Sequence, residues 1–278
     1  MADTNGSPGP QTQIRLYRQR ASYEVTAARE IFRSSPVAHV AFVHPGDDES
    51  RHEGKTKRAE TVMNLPLITV IVPEDDEDES GDFNGWNVYF HTHRNSGLVE
   101  AVERGSTSFT ATTTIIDGLV LSPTAHDHSL NYRSATLHLS SPSLVTDHEE
   151  KRHSLGVVTD TVAGYTRTDI VGQPMDPAVE RTTVIRCKIV SVSCKQRCGG
   201  WDSGKEPAID GDEGNGHGWK GGIPCWTQWG DLAGYGRDGE ELKTLFAERS
   251  RRGQELAVGS LYANENSKLE GLGKRLKR

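Results

Sequence analysis

The chain is poor in cysteine, has no long apolar run and shows no internal repeat, and each lack removes a class of protein. Four cysteines occur in 278 residues, Cys187, Cys194, Cys198 and Cys225. Three of them lie close together, unlike the framework of a small disulfide-stapled secreted domain, so they read as structural thiols. No segment reaches the ~20 apolar residues of a membrane-spanning helix. Residues 1–13 have neither the basic start nor the apolar run of a signal peptide and read as a disordered lead-in. Together these features predict a cytoplasmic protein. No glycine signature of a dinucleotide-binding or P-loop fold opens a helix. The net charge of −7 argues against a general nucleic-acid binder, which needs a basic field to displace counterions. The Lys274, Arg275, Lys277, Arg278 run is a local exception, read as a solvated tail rather than an import or anion-binding signal.

What is present is a β-rich pattern. Val37 to Val43 is short and apolar between Pro36 and Pro45-Gly46, as in a strand buried on both faces. Leu65 to Val72 follows as its hairpin partner. Trp86 to His91, Thr107 to Ile116, Gly118 to Leu121, Tyr132 to Leu139 and Thr182 to Cys194 read as further strands. Helices are expected from Ser22 to Ser34, from Asn95 to Arg104, after the capping-box pattern Thr146-Asp147-His148-Glu149, and from Asp238 to Arg252. So many closely spaced strands with few helices predict an antiparallel barrel with peripheral helices. Expected boundaries are a domain over 14–235, with loops at 44–61 and 74–85 and a Gly-rich insertion at 199–222. A C-terminal helix and basic tail occupy 236–278. The acidic run from Glu74 to Asp82 lacks the ligand spacing of a calcium loop and reads as solvated.

Three constellations carry possible chemistry. In His91-Thr92-His93-Arg94-Asn95-Ser96-Gly97 a strand ends and a helix begins, which suits a phosphate or carboxylate; ordinary capping by Asn95 or Ser96 is the bland alternative. His126-Asp127-His128 precedes Asn131-Tyr132-Arg133-Ser134. His-x-His on an extended segment puts both rings on one side, yet no carboxylate pattern of a metal motif lies nearby, and the expectation is no metal. Cys194-x-x-x-Cys198 lacks the spacing of a zinc or redox pair.

Arg20-Ala21-Ser22-Tyr23, the Val37 to Val43 strand, Tyr89-Phe90-His91-Thr92, Asp117-Gly118-Leu119-Val120-Leu121, His128-Ser129-Leu130-Asn131-Tyr132-Arg133-Ser134 and Ser193-x-Lys195-x-Arg197 occur in an order that resembles one family. It is that of the pyridoxamine 5′-phosphate oxidase-like, FMN-binding split-barrel proteins, in the flavin-nucleotide-binding or nitroimidazole-resistance-like branch. The resemblance runs from about Arg15 to Asp231 and is most specific in the DGLVL and NYRS segments. It implies a six-stranded antiparallel split β-barrel, a homodimer, and FMN at the subunit interface. On that basis Asn64, Pro66 and Leu67 would face the flavin ring, and His91, Thr92, Arg94 and Ser96 would hold the phosphate. Arg133 and Ser134 would join the cofactor site and Trp226 would close it. Relatives place a basic residue directly after the position of Ser96, where this chain has Gly97-Leu98. Losing a charge-assisted phosphate contact costs about 1.5–3 kcal/mol unless Arg94 or Arg133 substitutes.

The function expected is an FMN-dependent oxidoreductase acting on a small organic molecule. His91, His128 and Tyr132 would exchange protons and Arg133 would clamp an anion. The alternative is a split barrel that has lost flavin and works as a non-redox acid/base enzyme or binds haem or another small molecule.

Overall fold

A computed structural model describes residues 12–46, 60–73, 85–122, 127–200 and 219–263. Its strands are β1 (Ala21–Ser22), β2 (Val37–His44), β3 (Thr61–Pro73), β4 (Trp86–Thr92), β5 (Ser108–Leu121), β6 (Ser129–Leu144), β7 (Thr183–Arg197) and β8 (Gly221–Pro224). Helices are α1 (Val25–Ser34), α2 (Gly97–Glu103), α3 (His148–Ala163), α4 (Thr168–Val171), α5 (Asp176–Arg181) and α6 (Gly239–Tyr262). The acidic run at 74–84, His126, most of the Gly-rich insertion and the basic tail lie outside the described residues.

All strand pairs are antiparallel. In the order β7-β4-β3-β2-β5-β6, with β6 returning to β7, six strands close a ring, as the sequence predicts. Closure leaves each strand one inward face. Val40 and Phe42 of β2, Val88 and Phe90 of β4, Leu137 of β6 and Ile185 of β7 fill the barrel, and α1 adds Val25, Ala28, Ile31 and Phe32. A second apolar cluster lies outside the wall beneath α3, joining Val70, Tyr89 and Val184 to Leu155 and Val158.

Several local expectations are corrected. β2 is buried on one face only, because a barrel strand alternates in and out; Val37 is 50% and Val43 39% exposed. Residues 108–121 form one strand, not two. Asp117 is an extra residue between the pairs Ile116–Tyr132 and Gly118–Asn131, so the apparent turn is a β-bulge. Gly118 lets β8 approach, since a Cβ there would stand 3.0 Å from the Ile223 carbonyl oxygen. Ser22 belongs to β1, and α1 starts at Val25. Asp147, not Thr146, caps α3 by accepting from the Glu150 amide at 2.8 Å. The Glu150 carboxylate instead takes hydrogen bonds from Tyr89 Oη at 3.0 Å and Arg186 at 2.9 Å.

The late helix runs ten residues past Arg252. It passes through Gly253, where a Cβ would stand 3.6 Å from that of Trp226, an ordinary contact. The continuation carries Ser260 to Asn131. The buried Asn131 amide donates to the Gly199 carbonyl at 3.0 Å and the Ser260 carbonyl at 3.3 Å, and its oxygen accepts from Arg197. Near its other end α6 is held by the Arg167–Asp238 ion pair, and midway Arg249 donates to the Ala163 carbonyl at 2.7 Å.

Candidate functional site

His91 occupies the end of β4 on the outer face of the barrel, the face that also carries Tyr89, because side chains alternate along the strand. Continuing the β3–β4 register beyond Thr69–Phe90 sets Ile68 beside it. Pro66 and Asn64 follow on the same face and are exposed. Leu67 is turned the other way and packs against the barrel core, so Ile68, not Leu67, is the β3 residue that shares a surface with His91.

Above His91 lies an open groove of about 510 Å³. Its floor is Ile68 and His91; α3 gives one wall through Val158 and Val162, and α6 the other through Leu242 and Phe246. Tyr165 and Arg167 line it too. Burial lowers the pKa of His91 below its ordinary value, favouring neutral imidazole. Nδ1 of His91 is buried and has no hydrogen-bond partner. The helical walls were not assigned to the site by sequence. Their only signal was apolar spacing at i and i+4, which reads equally as core.

Beyond His91 the chain turns through half-buried Thr92 and exposed Arg94 into α2. Ser96, not Asn95, caps that helix, accepting from the Val99 amide at 3.3 Å. Glu100 occupies the first turn and pairs with His44 at 3.2 Å and Arg104 at 2.6 Å. Among the described residues, a phosphate here would meet the Glu100 carboxylate and a serine already engaged; Arg104 is paired with Glu100, and exposed Arg94 is the cation of the turn itself. Sterics do not require the glycine: a Cβ at Gly97 would meet only the His44 ring, at 3.9 Å. The outer face of β3, with Asn64 and Pro66 exposed, leaves room for a planar ring, whereas among the described residues the turn holds no buried, fixed cation for a phosphate.

The other predicted residues form a second group. Arg133 is bound by the Asp117 carboxylate through Nε at 2.8 Å and Nη2 at 2.7 Å, and both side chains are largely buried. Its charge is thus spent on the bulge, which corrects its reading as a free anion clamp. Ser134 donates to the Lys195 carbonyl at 3.2 Å. Half-buried Tyr132 lies opposite Arg197, and His128 is exposed just before β6. Trp226 follows β8, which pairs with the Gly118–Leu121 end of β5, and packs on α6.

The two groups do not meet within one chain. From His91 the row across the barrel wall runs through Ile68, Val37 and Thr114 to Ser134. Four strand spacings amount to roughly 19 Å over the surface. Between them lies an outer face of small, mostly polar side chains, with Pro66, His39, Thr112 and Thr136 in one row and Asn64, Ala41, Thr110 and His138 in the next. The two threonines bond to each other at 3.0 Å. Among the described residues, no three His, Cys, Asp or Glu side chains cluster to hold a metal ion. Cys187, Cys194 and Cys198 are buried and Cys225 is exposed; burial pushes the Cys187 and Cys194 thiols up to about 12.

Residues 76–196, from before β4 to the end of β7, match the family model described as pyridoxamine 5′-phosphate oxidase. This segment belongs to the pyridoxamine 5′-phosphate oxidase-like split-barrel family. β2 and β3 complete the family barrel ahead of the matched segment, and α6 lies beyond it. No curated protein matches the sequence. Among solved structures, the flavocytochrome Anf3 from Azotobacter vinelandii is 22% identical, covers 83% of this chain and 91% of its own, and superposes with a TM-score of 0.56. The FAD and heme binding protein from Mycobacterium smegmatis is 20% identical, with coverages of 78% and 90% and a TM-score of 0.54. Identities this low show a shared fold. No helix among the described residues is long and apolar enough to cross a membrane.

Proposed function

We propose that this split-barrel protein binds a flavin nucleotide, FMN, along the outer face of β3 and acts as a flavin-dependent oxidoreductase on a small organic molecule. The observation that carries the reading is the continuous outer surface Asn64–Pro66–Ile68–His91, in a family barrel, opening directly into the groove under α3 and α6. Bound there, a flavin would supply the electron chemistry that amino-acid side chains lack. The chain's own residues flank the site with two apolar helical walls and present His91, whose burial favours the neutral form, to exchange a proton with the substrate. In this reading Arg94, exposed on the turn after β4, would have to turn toward the phosphate to pair with it.

The unit proposed is a homodimer. The face of β2, β5 and β6, which no other described element covers, separates the two groups of site residues, and its mix of small side chains with His39 and His138 would pack against a second copy. Docked there, a partner would bring its own Tyr132, His128 and Trp226 toward the first chain's β3. The test is the absorbance spectrum and molar mass of the purified protein. A yellow, flavin-loaded dimer is expected; a colourless protein that takes up no added FMN would sink the proposal.

A second reading is favoured by the turn itself. With Glu100 in place and Gly97-Leu98 uncharged, the barrel would have given up flavin and kept the groove for non-redox acid/base chemistry or for binding a small molecule. Activity retained in flavin-free protein distinguishes this reading from the first.

A further inference from the structure

We infer that the groove between α3 and α6 is a binding site for a planar aromatic carbonyl compound, held between the helical walls and hydrogen-bonded by His91 and Tyr165. The inference deepens the functional reading by naming the substrate class of the His91 site, but the binding does not depend on flavin.

The first argument is the proton on His91. Neutral imidazole has one donor nitrogen and one acceptor nitrogen, and here Nδ1 is the buried, unpartnered one. A buried N–H without an acceptor is more costly and rarer than a dry acceptor. The proton therefore sits on Nε2, and His91 offers the groove a donor. The same tautomer disfavours ligation of a haem iron or other metal, because a ligating histidine almost always donates its other N–H to a protein group.

Tyr165 gives the second argument. Its oxygen accepts from Arg167 at 3.2 Å, which leaves its own O–H free to donate. Arg167 is neutralised by Asp238, Thr159 donates back to the Leu155 carbonyl at 3.0 Å, and among the described residues no carboxylate lines the groove. The lining thus presents the His91 and Tyr165 donors, with the remaining Arg167 N–H groups beside them, on an apolar background. That pattern selects an apolar molecule with oxygen acceptors and gives a cation no partner. The third argument is shape. Val158 and Val162 on one helix and Leu242 and Phe246 on the other form two apolar walls, and about 510 Å³ is within the usual range for a small-molecule site. This second wall, α6, lies outside the segment that the family model matches.

The experiment titrates full-length, flavin-free protein with anthraquinone-2-sulfonate by isothermal calorimetry. Saturable 1:1 binding is expected. His91→Phe, which keeps the ring and removes the donor, should weaken it about threefold to tenfold. Val162→Trp, at a half-exposed wall position that tolerates bulk, should abolish it while the unfolding midpoint stays near that of the parent. No binding by the parent protein, or binding unchanged in Val162→Trp, overturns the inference. So does displacement of the probe by FMN alone, which would make the groove the flavin's own seat. A haemin titration giving a histidine-ligated spectrum that His91→Phe removes would also overturn it. Failure to bind flavin, with the probe still bound, would count only against the oxidoreductase reading.

Discussion

Asp117 and Arg133 offer a clean test of whether the bulge in β5 is a structural lock or part of a ligand site. The carboxylate and guanidinium share two hydrogen bonds of 2.7 and 2.8 Å, and their side chains are only 8% and 12% exposed. Removing one partner of a buried ion pair costs about 3–5 kcal/mol, mostly from the charge left behind, and the residual solvent contact here reduces that to roughly 2–4 kcal/mol. Asp117→Ala and Arg133→Ala should each lose that amount in urea unfolding. Independent losses would sum to ~4–8 kcal/mol in the double variant. A true pair leaves the double variant near the level of either single one, a coupling of about 2–4 kcal/mol. The matching functional expectation is that Arg133→Ala and Asp117→Ala impair any ligand binding to the same degree, through the fold. Additive losses, or an Arg133→Ala variant of parental stability that selectively loses ligand, would refute the structural assignment and restore Arg133 as an anion clamp.

Gly97→Arg, at a position with room for a side chain, should restore a charge-assisted phosphate contact; flavin fluorescence titration should show FMN affinity raised at least about tenfold, or ~1.5 kcal/mol. Burial lowers the pKa of both His91 and His138 from 6.5, so below that pH the unfolded chain takes up protons that the folded one refuses. Stability should be level above pH 6.5 and fall as the pH drops toward the depressed values, and replacing both histidines by Gln should flatten the profile. Asn131→Leu should cost about 1–3 kcal/mol by stranding the groups that it bridges, and hydrogen exchange should quicken first in the last turns of α6.

Much of the barrel was legible because its signals are local. Alternating apolar residues marked the strands, and the order of short motifs from Arg20 to Arg197 marked the family. What misled the reading was also local. Asp117-Gly118 has the composition of a turn, and only the partner strand shows it to be a bulge. The late helix reads in sequence as ending at Arg252, and only the docking of Ser260 on Asn131 shows what the further turns to Tyr262 pack against. Leu67 looked like a flavin contact until the register fixed its parity, since a shift of one residue moves a side chain to the opposite face.

By itself the sequence determined most of the strands, because these follow from periodicity, while the ring of six was implied by the family resemblance, whose motifs include residues between Val88 and Ser134. Tertiary structure decided which parts of that stretch can act together. Pairing across β3, β2 and β5 holds His91 about 19 Å over the surface from Ser134, and a bulge commits Arg133 to Asp117. Two distant helices, α3 and α6, meet above His91 to make a groove that no local pattern announces, since contact between residues 91, 162 and 246 is a property of packing and not of spacing.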